Sequence, residues 1–175
     1  MTVTYIAKNV EQTQTIAKNL SAKLQKGDLV MLSGDLGAGK TTFTKGIGEG
    51  MKVSGQISSP TFIVARVHPS LNSGPDLIHV DAYRINGIED LETLDLDSTI
   101  HEAVTVIEWG EGKVENMAQS RLEIKISRKQ DVNIKQDIVN GKKIVDLSNI
   151  EDSNRIIKIT AYGVRWEKEE LGNLL

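Results

Sequence analysis

The sequence predicts a single α/β domain built on a mixed, largely parallel central sheet, with antiparallel strands towards the C-terminus. Three observations carry that expectation. The short apolar run Leu29 to Ser33 leads straight into a glycine-rich loop and a helical segment, the order of a buried parallel strand, a turn and a helix packed on the sheet. Apolar runs of strand length recur at Leu77 to Val80 and Val104 to Ile107. After Trp109 the pattern changes, and Arg121 to Ser127 and Ile156 to Thr160 alternate apolar with polar residues as half-exposed antiparallel strands do.

A chain of 175 residues fits one domain, spanning 1–175, and a domain of that size buries roughly 70% of the surface its unfolded chain exposes. The absence of Cys excludes a disulfide framework and thiolate metal sites. A net charge of -3 gives little long-range attraction for a polyanion, so any RNA contact is expected to rely on a partner. The first residues, MTVTYIAKNVEQ, have neither a basic segment nor an apolar core, and no run of about 18 apolar residues occurs. A cytoplasmic protein with no membrane contact is expected.

The elements follow in order. Asn9, Val10, Glu11 and Gln12 form a capping box ahead of Ile16, Leu20 and Leu24 at helical spacing, and Gly27 stops that helix. After the strand and its loop, Thr41 to about Gly50 reads as a short helix, with Gly46, Gly48 and Gly50 each weakening it by about 1 kcal/mol relative to Ala. Phe62 to Val67 and Leu77 to Val80 read as strands around the turn-rich stretch Pro69 to Pro75. Asn140-Gly141 predicts a type I′ turn joining Ile134 to Val139 with Lys142 to Leu147, within a hairpin-containing insertion at about 131–154. Val164 to Leu175 has the composition for a closing helix.

The chemistry concentrates in the loop. Gly34, Gly39, Lys40 and Thr41 satisfy the pattern G-x-x-x-x-G-K-[ST] between a buried strand and a helix, the context that mechanism demands. Glycines let backbone N–H groups turn inward on phosphates, Lys40 is expected at the β- and γ-phosphates, and the Thr41 hydroxyl is expected on Mg2+. The arrangement predicts the three-layer fold of P-loop nucleotide-binding proteins. A plain strand-to-helix turn needs one or two glycines and no lysine at the helix start. Thr42 is read either as facing the α-phosphate or as an exposed helix-start threonine.

Two apolar strands end in an acid. Asp81 closes LIHVD and Glu108 closes VTVIE, and in open α/β sheets the carboxyl ends of parallel strands line the ligand crevice. Either acid can hold magnesium directly or through its water shell, and a solvated strand-end carboxylate is the plain alternative. Period 2 puts His79, Asp81 and Tyr83 on one strand face, so bringing Arg84 to Asp81 requires a bend. His79 is read as packed or hydrogen-bonded rather than as a base. Ser58 to Phe62, with the Ser59 and Thr61 hydroxyls around Pro60, reads as a polar turn or as a loop sensing the γ-phosphate. Trp109 belongs to the core unless a nucleotide lies alongside it.

Taken together and in this order, GDLGAGKTTF (34 to 43), SSPTF (58 to 62), HVDAYR (79 to 84) and VIEWGE (106 to 111) resemble the TsaE family of bacterial ATPases over roughly the first two thirds of the chain. The resemblance implies a part in making the threonylcarbamoyl modification of the adenosine beside the anticodon. It also implies partners TsaB and TsaD, with the transfer left to TsaD and tRNA met through the complex. On matching positions it implies that Leu36, Gly37, Ala38, Gly39, Lys40 and Thr41 bind ATP and that Thr41 and Glu108 hold magnesium. Asp81 then lies at the nucleotide for hydrolysis, with Trp109 beside the site. A further nucleotide contact is implied around Val10 to Thr13, whereas the 131–154 hairpin departs from the family's pattern.

Two other functions fit the loop alone. A small-molecule kinase needs an acceptor pocket and an arginine-rich lid, and Arg121 and Arg128 stand isolated in the sequence. A non-hydrolysing switch uses ATP only to stabilise a partner-binding surface. A GTPase is disfavoured because no Asn-Lys-x-Asp motif is present.

Overall fold

In a computed structural model of the protein, the described residues are 1–59, 65–84, 101–112, 115, 118–128, 138–139, 142–143 and 153–175. Strand β1 (Thr2–Ala7) leads into helix α1 (Val10–Ser21), followed by β2 (Leu29–Ser33) and α2 (Lys40–Met51). Then come β3 (Ala65–His68), β4 (Leu77–Asp81), β5 (Val104–Glu108) and β6 (Arg121–Arg128). A small pair, β7 (Ile138–Val139) and β8 (Lys142–Lys143), precedes β9 (Arg155–Tyr162).

Seven strands form one sheet in the order β1-β9-β6-β2-β5-β4-β3. Its centre, β6-β2-β5-β4, is parallel, while β3, β9 and β1 attach by antiparallel pairings. Every residue of β2, β4 and β5 is buried, as strands covered on both faces must be. The mixed sheet expected from the change of pattern after Trp109 is present.

Helices α1 and α2 lie on one face of the sheet. Ile16, Ala17 and Leu20 of α1 and Phe43 and Ile47 of α2 pack with Val30, Leu32, Val106 and Ile124 into the larger core. Leu29, Met31, Ile78, Val80 and Ile107 form a second cluster on the opposite face. The Asn9 carboxamide caps α1 by accepting from the Gln12 N–H at 2.8 Å, and the Gln12 side chain accepts from the Lys8 N–H at 2.8 Å. That reciprocal pair is the expected capping box shifted by one backbone donor. The glycines of α2 have a packing role that helix propensity hides: a Cβ on Gly46 would meet the Gln14 carbonyl oxygen at 2.6 Å and the Ala17 Cβ at 2.7 Å. The two helices lie too close there for any side chain.

Several expectations are corrected. Val164 to Leu175 is not a helix: a 3-10 turn at Val164–Trp166 is followed by irregular chain. Tertiary contacts hold it instead, with Trp166, Leu171 and Leu174 buried in the larger core and Arg165 bonded to the Asp28 carboxylate and the Lys23 carbonyl. Strand β1 is absent from the sequence reading. The predicted strand at Phe62 to Val67 is seen as Ala65–His68, residues 60–64 lying outside the described ones. The hairpin register Ile138↔Lys143 and Val139↔Lys142 agrees with a two-residue turn at Asn140-Gly141, itself outside the described residues.

Candidate functional site

The carboxyl ends of β2, β4 and β5 meet at the start of α2, so the register of the parallel sheet builds the site. Leu32 pairs with Glu108, and Asp81 lies opposite Glu108 on the neighbouring strand. Helix α2 begins with Gly39 as N-cap at φ 116° and has no side-chain capping bond, which leaves its first N–H groups to a ligand.

Lys40, the first residue of α2, is only 5% exposed. Its ammonium donates to the carbonyls of Gly34 at 2.7 Å and Asp35 at 3.0 Å and lies 3.6 Å from the centre of the Trp109 ring. Burial lowers its pKa below the usual lysine value, with the charges of Glu108, Asp35 and Asp81 opposing that shift. A desolvated cation held by carbonyl dipoles and a π face is a strong anion site.

The Thr41 hydroxyl lies between the two oxygens of Glu108, at 3.1 and 3.2 Å. Glu108 is also approached by Thr44 Oγ1 at 3.5 Å and by His79 Nε2 at 2.8 Å. Asp81 is buried, and its Oδ1 accepts from the Tyr83 N–H at 2.9 Å where β4 breaks into a 3-10 turn at Ala82–Arg84. The chain does turn here, while the Arg84 side chain lies outside the described residues.

Trp109 is not in the core. It has a left-handed backbone, φ 62°, uncommon for a bulky residue, and its N–H donates to the Leu32 carbonyl at 3.1 Å. The conformation swings the indole out over Lys40 and into edge-to-face contact with Tyr83, with ring centroids 5.5 Å apart. Strain of this kind collects at ligand sites.

The cleft so formed measures about 630 Å³, the size of small-ligand sites. Leu36, Gly37, Gly39, Lys40, Thr41 and Thr42 line one side, and Asp81, Glu108 and Trp109 the other. Of the residues singled out in the sequence, Gly34 and Ala38 do not line it. Gly34 packs against the Ile126 carbonyl, and buried Ala38 offers its carbonyl to Arg155 Nε at 2.9 Å. Ser59 does line the cleft; Pro60 to Phe62 lie outside the described residues. Val10 to Thr13 do not contribute, and Val10 is exposed.

Sequence reasoning misses Tyr83 as a wall of the cleft, Thr44 behind Glu108, and Arg155 on the loop. For Thr44 the signal was available, since position i+3 from Thr41 shares its helix face. For Arg155, 117 residues downstream of Ala38, there was none.

Among the described residues no three His, Cys, Asp or Glu side chains are grouped to hold a metal by themselves. The donor set of one hydroxyl and two buried carboxylates is all oxygen, which fits Mg2+ completed by a ligand's phosphate oxygens and water rather than Zn2+.

The family model for threonylcarbamoyl adenosine biosynthesis protein TsaE matches residues 7–138, from the end of β1 past Glu108. The chain belongs to the TsaE family. A Streptomyces coelicolor tRNA threonylcarbamoyladenosine biosynthesis protein TsaE is 44% identical over 160 residues, covering 91% of this chain and 97% of the relative. The protein of that name from Bacillus subtilis is 42% identical over 125 residues, covering 70% of this chain and 76% of the relative. Among solved structures, that of Bacillus subtilis YdiB superposes with a TM-score of 0.68 at 32% identity, covering 95% of this chain and 90% of that one. TsaE membership assigns the chain to tRNA threonylcarbamoyladenosine biosynthesis. Arg155 and the C-terminal strand lie beyond residues 7–138, the segment the family model matches. Among the described residues no helix is long and apolar enough to cross a membrane.

Proposed function

We propose that this TsaE-family chain is the ATP-binding and ATP-hydrolysing component of the threonylcarbamoyladenosine machinery, acting with TsaB and TsaD in the cytoplasm to support their turnover. The observation that carries the reading is the convergence of Lys40, Thr41, Asp81 and Glu108 on one cleft at the mouth of the glycine loop. Each element of phosphoryl transfer to water has a residue there.

The loop's backbone N–H groups and the open start of α2 receive the phosphates. Lys40 exchanges its bonds to the Gly34 and Asp35 carbonyls for phosphate oxygens and neutralises charge that develops on the γ-phosphoryl group. Thr41 and Glu108 would hold Mg2+, which would neutralise developing phosphate charge when bound. Asp81, buried beside Glu108, orients the attacking water in line with the bond to the leaving oxygen. Trp109 and Tyr83 exclude bulk water from Lys40 and offer an aromatic wall to the nucleotide. With a net charge of -3, the chain is expected to meet tRNA through its partners.

Reconstituted tRNA modification with TsaB and TsaD tests the proposal. Lys40→Ala should abolish both ATP hydrolysis and repeated modification; normal levels of the two with this variant would remove the assignment. A wild-type complex that modifies tRNA repeatedly with a non-hydrolysable ATP analogue would favour the switch reading instead.

A further inference from the structure

Glu108 has unequal neighbours. Its Oε1 is met by His79 Nε2 at 2.8 Å, by Thr41 Oγ1 at 3.1 Å and by Thr44 Oγ1 at 3.5 Å. Its Oε2 is met by Thr41 Oγ1 alone, at 3.2 Å, in the contacts between described residues. The carboxylate is therefore fixed about its terminal torsion, with one oxygen turned towards the β4 side of the sheet and the other left to the cleft. A carboxylate torsion is broad and two-fold when nothing restrains it.

His79 supplies the shortest of these contacts, and its place follows from the sheet. It stands two residues before Asp81 on β4, opposite Val106, so the imidazole reaches diagonally to Glu108 on β5. It is fully buried, and among the described residues its Nδ1 has no hydrogen-bond partner. That orphan selects the tautomer. A proton on Nε2 gives a donor to the carboxylate and leaves Nδ1 as a bare acceptor, whereas a proton on Nδ1 would bury an unpaired donor and set two acceptors against each other. A residue that only filled space would not need a ring nitrogen aimed at a carboxylate.

We propose that His79 is a positioning residue for the magnesium site: its Nε2–H locks Glu108 in the rotamer that presents Oε2 beside the Thr41 hydroxyl, so that His79 sets divalent-cation affinity without touching nucleotide or metal. The inference rests on the reading of Thr41 and Glu108 as the metal-holding pair. Partners behind a metal ligand that orient it in this way are worth about 10–100-fold in metal affinity.

The test uses Mn2+ as the probe, followed by electron paramagnetic resonance on the full chain with a non-hydrolysable ATP analogue. Gln carries an amide N–H the same number of bonds from the backbone as Nε2, and Met is of similar size with no donor. His79→Met should weaken Mn2+ binding by about 10–100-fold, and His79→Gln should restore it to within about threefold. Analogue binding in EDTA should be the same in all three proteins. If His79→Met does not fold, His79→Asn, whose amide reaches only the Nδ1 position, takes its place against His79→Gln.

Wild-type Mn2+ affinity in the donor-less variant, with Glu108→Gln clearly weakened, would overturn the role of His79 and leave the metal site standing. Equal weakening by Gln and Met would also overturn it, because a merely structural role is blind to the donor. Failure of the wild-type protein to bind Mn2+ with nucleotide would overturn the metal site and this inference together.

Discussion

Replacing Gly34 by Ala separates two reasons for a glycine at the start of the phosphate loop. Gly34 has φ +136°, a region that residues with a Cβ rarely adopt, and an added Cβ would meet the Ile126 carbonyl oxygen at 2.1 Å and the Ala38 Cβ at 3.3 Å. The carbonyl cannot give way cheaply. Ile126 belongs to β6, held between β2 and β9, where it pairs with Ile157. Backbone strain contributes about 1–3 kcal/mol, and forcing a methyl group into a packed contact adds about 1–3 kcal/mol. Together these give about 2–6 kcal/mol, a large part of the 5–15 kcal/mol typical of a domain's stability. Gly39 is the internal control, for its φ is +116° but nothing lies within 4 Å of an added Cβ, so Gly39→Ala should lose only the strain part. Urea unfolding of both variants measures the difference. Gly34→Ala should be the less stable by about 1–3 kcal/mol. Equal losses would refute the steric argument, and a loss below about 0.5 kcal/mol for Gly34→Ala would refute the loop conformation itself.

Other consequences are as concrete. Asp81→Asn should leave nucleotide affinity within a few-fold while lowering turnover by about 100-fold or more, read by calorimetry beside single-turnover hydrolysis. Nucleotide should change the emission of Trp109 at the cleft and not that of buried Trp166, so Trp109→Phe should abolish the fluorescence response and Trp166→Phe preserve it. Burial lowers the pKa of His68 below the usual 6.5; its Nδ1 bonds to the Ser54 carbonyl at 3.1 Å and its Nε2 has no partner among the described residues. The unfolded chain therefore binds the extra proton first. The stability His68 contributes is present above pH 6.5 and is lost as pH falls below that value through its folded pKa. His68→Asn, which keeps a donor for Ser54 without a titrating ring, should flatten the unfolding midpoint between about pH 7 and 5.

The site was more legible than the frame around it. Gly34 to Thr41, Asp81 and Glu108 could be read because their signals are local: a strand, a glycine turn and a helix start in one stretch, and acids directly after buried strands. The register that makes Asp81 and Glu108 neighbours is not local, and neither is the bond from Arg155 to Ala38 across 117 residues. Strand β1 carries the β-branched residues Thr2, Val3, Thr4 and Ile6, but its partner is β9, about 150 residues away. Val164 to Leu175 failed as a helix because tertiary contacts decide it. The Tyr5 hydroxyl bonds to the Leu171 carbonyl and accepts from the Leu174 N–H at 3.2 Å, holding the tail in an irregular path. His79 shows the limit of composition best: as a packed, hydrogen-bonded histidine it was legible, yet its partner appears only when β4 and β5 are side by side.

In the proposed function the cleft hydrolyses ATP in the service of TsaB and TsaD. Phosphate release should be measured for the wild-type chain and Lys40→Ala, with and without Mg2+ and the TsaB–TsaD pair. Release should require Mg2+, rise when the pair is added and disappear in Lys40→Ala. Release that survives in Lys40→Ala, or that the pair leaves unchanged, would contradict it.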